Sequence, residues 1–286
     1  MEFFLGTDNP AWLRISPVPL FVSHSRLRRI KGDGGGRAIV DWALDSGAFT
    51  DITTHGRFLT SPADYVKAVR KYRDNFGRMQ FASIQDFMSE PHVLKITGLT
   101  VEEHRKRTVQ SYLTLRDLAP EIPWCPVVQG WQPDDYRRTI ELYDKNGVNL
   151  ERLPIVGVGS VCRRQGTAQA VGILRAVLHE IPQARLHGFG FKTQGLMLAK
   201  DLLVSADSMA WSVKARREGI CLPGHSHPSA PNSKEVFLRK KGHQKCSSCI
   251  EFAIRWRNSM LVKVAEAQEL EASKSGKKSK QLTFAF

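Results

Sequence analysis

Three aspartates stand where an apolar run gives way to a turn. They are Asp45 in Ala43-Leu44-Asp45-Ser46-Gly47-Ala48-Phe49, Asp86 in Ser83-Ile84-Gln85-Asp86-Phe87, and Asp207 in Ser205-Ala206-Asp207-Ser208-Met209-Ala210-Trp211. A carboxylate at such a point can attack a carbon or carry a proton. Each taken alone would serve equally well as a helix N-cap or a turn former. Between them come glycine-rich segments: Gln129-Gly130-Trp131, Gly157-Val158-Gly159-Ser160 and His187-Gly188-Phe189-Gly190. Glycine at the end of a strand lets a flat ligand approach the backbone. Gln129 and His187 suit hydrogen bonding to a purine edge, or else a loop contact and a core histidine. Arg163 and Arg164 lie beside one of these turns, where they could hold a phosphate or simply be solvated.

A second cluster has metal-ligand spacing. His243-Gln244-Lys245-Cys246-Ser247-Ser248-Cys249 sets two thiolates on one tight turn with an imidazole nearby, as in a zinc knuckle. His243, Cys246 and Cys249 supply three ligands, and the fourth is His225, His227 or Cys221. Four protein ligands would leave no open position, so the Zn2+ would be structural. Five cysteines, an odd number, fit metal binding in a reducing compartment better than a disulfide framework. Cys125 and Cys162 read as ordinary buried thiols.

The elements that must position these residues alternate short apolar runs with longer amphipathic ones, the pattern of a parallel sheet wrapped by helices. Eight strands are expected, over 3–5, 20–23, 42–44, 80–84, 126–129, 154–158, 186–189 and 202–206. Helices are expected over 62–76, capped by Ser61, and over 101–118, 133–146 and 166–180. The tally implies an α/β fold, a (β/α)8 TIM-type barrel, in which reacting residues sit at the C-terminal strand ends. The barrel is expected to span 1–216. A zinc-binding appendix with a C-terminal helix would follow over 217–272, its apolar stripe made by Ile250, Ala253, Ile254, Met260 and Leu261. A Lys- and Ser-rich tail over 273–286 reads as disordered.

The chain has 286 residues, with 42 Lys plus Arg against 28 Asp plus Glu, a formal charge of +14. That excess favours a polyanionic partner. No apolar run is long enough to cross a bilayer and no leader is evident, so a cytoplasmic protein without membrane contact is expected. Arg239, Lys240, Lys241 and Lys245 could track phosphates.

The motifs Leu44-Asp45-Ser46-Gly47-Ala48-Phe49, Val128-Gln129-Gly130, Val156-Gly157-Val158-Gly159 and Gly188-Phe189-Gly190, in that order, resemble the guanine transglycosylases, which are zinc-bearing barrels. Gly159-Ser160-Val161-Cys162-Arg163-Arg164, His187-Gly188-Phe189-Gly190-Phe191-Lys192-Thr193 and Ala206-Asp207-Ser208-Met209-Ala210-Trp211-Ser212 are most similar to the DNA-acting branch, the deazapurine DNA modification family DpdA. The resemblance implies exchange of a guanine in DNA for a 7-deazaguanine, such as 7-cyano-7-deazaguanine, by double displacement at the sugar C1′. It implies Asp207 as nucleophile and Asp45 as acid/base partner, with Asp86 and Gln129 reading the base edge. Ser46, Gly130, Gly157, Gly159 and His187 would complete the substrate pocket. It also favours His225 as the fourth zinc ligand. In the tRNA-acting relatives the nucleophile falls three positions later, where this chain has Ala210, so a tRNA-guanine transglycosylase and a non-catalytic zinc-dependent DNA-binding protein on a decayed barrel are the rival readings. The last residues, Gln281-Leu282-Thr283-Phe284-Ala285-Phe286, resemble peptides that dock on bacterial sliding clamps.

Overall fold

Among the described residues nine strand segments run parallel, in the order β5-β4-β3-β2-β1-β9-β8-β7-β6. They are β1 (Glu2–Thr7), β2 (Leu20–Ser23), β3 (Trp42–Asp45), β4 (Met79–Ser83), β5 (Trp124–Cys125), β6 (Val127–Val128), β7 (Val156–Val158), β8 (Leu186–Gly188) and β9 (Ser205–Ser208). This computed structural model describes residues 1–32, 34–162, 164, 168–218 and 249–282, with the side chains of 216–218 and 270–282 excepted. The two outermost segments, β5 and β6, are separated only by Pro126. Cys125 gives its carbonyl to Ile84 N–H on one side and Pro126 gives its own to Gly157 N–H on the other. Proline has no N–H to offer, so the ladder breaks there. The expected eighth-fold barrel is therefore present as nine segments, nearly closed, with its fifth stave split at Pro126.

Helices connect the strands: α1 (His24–Leu27), α2 (Ala48–His55), α3 (Pro62–Phe76), α4 (Pro91–Thr97), α5 (Val101–Leu118), α6 (Pro133–Lys145), α7 (Ala168–Glu180), α8 (Thr193–Ala199), α9 (Ala210–Glu218) and α10 (Ile250–Leu282). Local chemistry fixes their starts. The Ser61 hydroxyl accepts from Asp64 N–H and Pro62 follows it, while Thr100 accepts from Glu103 N–H. Asp135 reaches back to the backbone N–H of Gln132 and Trp131 at the head of α6.

The strands are buried on both faces. Phe4, Phe21, Ala43, Phe81, Cys125 and Ile155 point into the barrel and fill its floor. Their alternate neighbours, such as Phe3, Leu5, Leu20, Trp42 and Leu44, pack outward beneath the helices. The α10 helix closes the wall outside β1. Phe252, Ala253, Met260 and Val264 are buried, Trp256 meets Phe3 with centroids 6.2 Å apart, and the Arg257 guanidinium donates to Phe3 O at 3.1 Å. Ala253 and Met260 of the expected stripe are buried, and Ile250, Ile254 and Leu261 are partly so.

Two boundaries depart from the sequence expectation by more than two residues. The last strand lies over Ser205–Ser208 instead of 202–206, because Leu202 N–H is spent on Ala199 O, closing the turn after α8. Asp207 is thus inside a strand. The α10 backbone also runs to Leu282, through residues expected to be disordered. That stretch holds Lys, Ser and a single Gly, and no proline that would stop a helix. Among the described residues no helix is long and apolar enough to cross a membrane.

Candidate active site

The barrel's C-terminal mouth opens on a cavity of about 250 Å³ lined by residues from all eight staves, among them Asp45, Asp86, Gln129, Gly159 and Asp207. Five of the residues singled out from sequence therefore meet in one place. Strand alternation sends Asp45 and Asp207 inward, one step above the aromatic floor, whereas Asp86 lies past the end of β4, where that period no longer holds.

Asp45 ends β3. The Ser23 hydroxyl and the Gly47 N–H hydrogen-bond its carboxylate, yet enclosure by protein raises its pKa above the ordinary value, with the Asp207 and Asp51 charges adding to the rise. Gly47 adopts φ +79°, the left-handed conformation that turns its amide back to the carboxylate and opens α2. Across the cavity Asp207 Oδ1 accepts from Gly190 N–H at 3.0 Å and lies 3.3 Å from His187 Nε2. The other imidazole nitrogen, Nδ1, is 2.9 Å from Ser205 Oγ. His187 is fully buried among Phe4, Phe21, Phe81 and Phe189, and so braces Asp207 from below without lining the cavity.

The opposite wall is a connected polar network. Gln129 Nε2 donates to Asp86 Oδ2 at 2.5 Å, and Ser160 Oγ lies 2.7 Å from Gln129 Oε1 and 2.9 Å from Glu90 Oε2. Ser89 N–H donates to that same Ser160 oxygen at 2.8 Å. Burial pushes the Asp86 pKa up to about 7; the Gln129 hydrogen bond opposes this, and the Asp45 and Glu90 charges reinforce it. At neutral pH Asp86 can therefore donate or accept. The segment that carries Asp86 and Glu90 is fastened to α5, where Thr108 Oγ1 accepts from Phe87 N–H at 2.8 Å and His104 Nδ1 sits 2.6 Å from Met88 O.

Two glycines leave the room that this arrangement needs. A Cβ on Gly159 would collide with the Gln129 amide, and one on Gly157 would collide with the Phe189 ring. Gly157 thus works from beneath Phe189, while Gly159 lines the cavity itself. Gly130 faces away: a Cβ there would meet Tyr136 N and Asp135 Cβ, both at 2.8 Å, so its absence seats α6 against the strand. Ser46 is buried outside the lining, and its hydroxyl has no hydrogen-bond partner among the described residues. Arg164, considered as a phosphate holder, is buried instead. Its guanidinium lies over the Trp131 ring, 4.0 Å from the centroid, and donates to Trp131 O at 2.7 Å.

Sequence reasoning missed Glu90, Ser160 and Ser23, all of which line the cavity. Glu90 precedes Pro91 and reads as a helix cap, and it does stand at the head of α4, but no side-chain capping bond forms. Ser160 carried one usable signal, its place directly after Gly157-Val158-Gly159. It has φ +54°, a backbone conformation that a serine adopts only when its surroundings hold it there.

The position three residues after Asp207 is Ala210, the first residue of α9, and it does not line the cavity. Of the expected zinc ligands, His225, His243 and Cys246 lie outside the described residues, as do Arg163, Arg239, Lys240, Lys241 and Lys245. Cys249 is buried at the start of α10. Among the described residues no group of three or more His, Cys, Asp or Glu side chains is arranged to hold a metal.

The sequence matches the family described as DpdA, deoxypurine in DNA protein A, over residues 1–279. The chain belongs to the DpdA family. This is a guanine transglycosylase-like family, so the resemblance carried by the aspartate and glycine motifs holds across the barrel and most of α10. No protein of curated function matches the sequence.

Proposed function

We propose that this DpdA-family protein removes guanine from DNA and inserts a 7-deazaguanine, such as 7-cyano-7-deazaguanine, at the same sugar. The observation that carries the reading is the pairing of Asp45 with Asp207 in one cavity whose far wall bears donors and acceptors suited to a purine. A carboxylate oxygen of Asp207 attacks C1′ and the C1′–N9 bond breaks. The electron pair leaves with guanine, which takes a proton from Asp45. The raised pKa of Asp45 favours the protonated form that this step needs. The incoming 7-deazaguanine then gives its N9 proton to the Asp45 carboxylate and its nitrogen displaces Asp207 from C1′. Protons and charge balance over the cycle, so no redox cofactor or nucleotide is consumed. Geometry supports the assignment of Asp207 over position 210, since Asp207 is aimed into the cavity and steadied by Gly190 and His187.

Guanine presents N1–H and an exocyclic N–H₂ as donors and O6 as an acceptor. Asp86 and Gln129 can meet that set, with the backbone at Gly159 lying flat against the ring. A base stacked in a duplex hides its C1′, so the target nucleotide must be extruded or met in a single strand. A structural Zn2+ held by His225, His243, Cys246 and Cys249 fits the donor chemistry, and the buried Cys249 thiol at the head of α10 is in keeping with a clamp between the appendix and the barrel. It would supply rigidity, and no step passes through it. We further propose that residues 281–286 tether the protein to a sliding clamp; a clamp pull-down that survives deletion of these six residues would remove that idea.

The deciding experiment follows labelled guanine released from DNA and from tRNA in the presence of 7-cyano-7-deazaguanine. Release from DNA alone is expected. Release from tRNA alone would transfer the activity to the rival substrate, and release from neither would leave a binding protein.

A further inference from the structure

A second depression lies on the outer side of the segment that carries Asp86. Whereas Asp86 lines the catalytic cavity, its neighbours Gln85 and Phe87 line a groove of about 540 Å³ between the start of α3 and the flank of α5. The two spaces are thus separated by one thickness of backbone. The groove carries two cations, Arg57 and Arg107, both exposed, and no carboxylate is among its lining residues. Its aromatic members, Phe58 and Phe87, are half-buried and meet edge to face with centroids 5.3 Å apart. The Arg107 guanidinium stands 5.7 Å from the Phe87 centroid, and Glu103 holds it there through Nε at 3.0 Å. Thr108 fixes the Phe87 backbone, and Gln85 Nε2 donates to Thr60 O at 2.9 Å, so the floor is built and not a gap between loose side chains.

A half-exposed aromatic pair flanked by guanidinium groups matches one nucleotide of a single strand: a base stacks on the ring while the phosphates meet the arginines. We propose that this groove holds the nucleotide next to the target base. When the target is extruded into the catalytic cavity its neighbour is unstacked on one side, and a surface one backbone away lets that neighbour regain a stacking partner. The proposal deepens the reading of the cavity as a site for a DNA base and rests on it. The charge alone would also admit an acidic peptide, which has no base to stack.

The test uses the full-length protein and single-stranded oligodeoxynucleotides containing one guanine, with 2-aminopurine at the 5′ or the 3′ neighbour. A fluorescence change at one neighbour is expected on binding. Arg57→Glu and Phe87→Leu should each weaken binding on the order of tenfold and remove that change. An oligonucleotide abasic at that neighbour should bind wild type and Phe87→Leu alike. In the exchange assay the variants should raise KM for DNA and leave kcat unaltered. Should Phe87→Leu fail to fold, Arg57→Glu carries the test, since Arg57 is an exposed side chain. Unchanged fluorescence and affinity in Arg57→Glu would overturn the proposal, as would competition by oligoglutamate equal to that by an abasic oligonucleotide. The two readings fail differently. Exchange that proceeds with the same KM in both variants rejects the groove and spares the enzyme, whereas neighbour-specific fluorescence without any exchange rejects the enzyme and spares the groove.

Discussion

The two walls of the cavity are built on opposite plans. On the β8–β9 side a single carboxylate, Asp207, is held by one backbone amide and one buried imidazole. On the β4–β7 side Asp86, Gln129, Ser160 and Glu90 are joined in one chain of hydrogen bonds. An attacking group must keep an oxygen free to form a bond, so it can be gripped only lightly. A recognition surface gains from the reverse, because linked partners fix one another's orientation and a mismatched ligand leaves several of them unsatisfied. Asp45 stands between the plans, hydrogen-bonded by Ser23 and Gly47 yet raised in pKa by enclosure.

The contrast predicts its own largest effect. Asp207→Asn keeps the shape of its wall and removes the proposed nucleophile, so kcat for base exchange should drop by at least about a thousandfold, with DNA affinity close to wild type. Residual turnover above that level would take Asp207 out of the role. Asp45→Asn should lower kcat by roughly 10²–10⁴-fold, the usual worth of a positioned acid/base group. Its loss should be smallest with a substrate analogue whose base leaves without protonation; an equal loss with that analogue would make Asp45 merely structural.

The lightly held wall was the more legible of the two in sequence. Asp45 and Asp207 stand out because each follows an apolar run, and the strand period alone directs them inward. Gly159 and Gln129, on the linked wall, were found through the glycine-rich turns that end their strands. Asp86 was found there too, but Glu90 and Ser160 were not, because they come from loops whose course is set by contacts distant in the chain. Glu90 reaches the cavity only because α5 fastens the preceding residues through Thr108 and His104. Ser160 is turned toward Glu90 by a positive φ that no propensity foretells. The barrel followed from alternation of apolar runs, while the split stave at Pro126 and the later start of β9 depend on where backbone donors are spent.

A smaller effect should separate the walls by pH. Asp86 in the folded protein has a pKa near 7 against an ordinary value of 3.8. The folded state therefore holds a proton that the unfolded chain releases between these values. Stability from this group is complete below about pH 4, is lost as pH rises through 7, and is then lower by on the order of 4 kcal/mol. Asp86→Asn removes the titration while keeping an amide in place. The variant should gain in Tm relative to wild type as pH is raised from 5 to 8, and lose affinity for the free base. Parallel Tm curves for the two proteins would mean that Asp86 is not held in the environment described.

The smallest effect concerns the strain within the linked wall. The Ser160 hydroxyl accepts from Ser89 N–H, shares its single proton between Gln129 Oε1 and Glu90 Oε2, and pays for its position with φ +54°. Ser160→Ala removes the hydroxyl and keeps the strain, leaving the Ser89 amide and a Gln129 oxygen without their partner, at a cost of about 1–3 kcal/mol. Ser160→Gly removes the same hydroxyl but tolerates the backbone, which returns roughly 1 kcal/mol. Urea unfolding should therefore find the glycine variant more stable than the alanine variant by about that amount, although both lose the network equally and both should raise KM for the base. If alanine proves the more stable of the two, the positive φ is not under strain, and the wall is held by its hydrogen bonds without cost to the backbone.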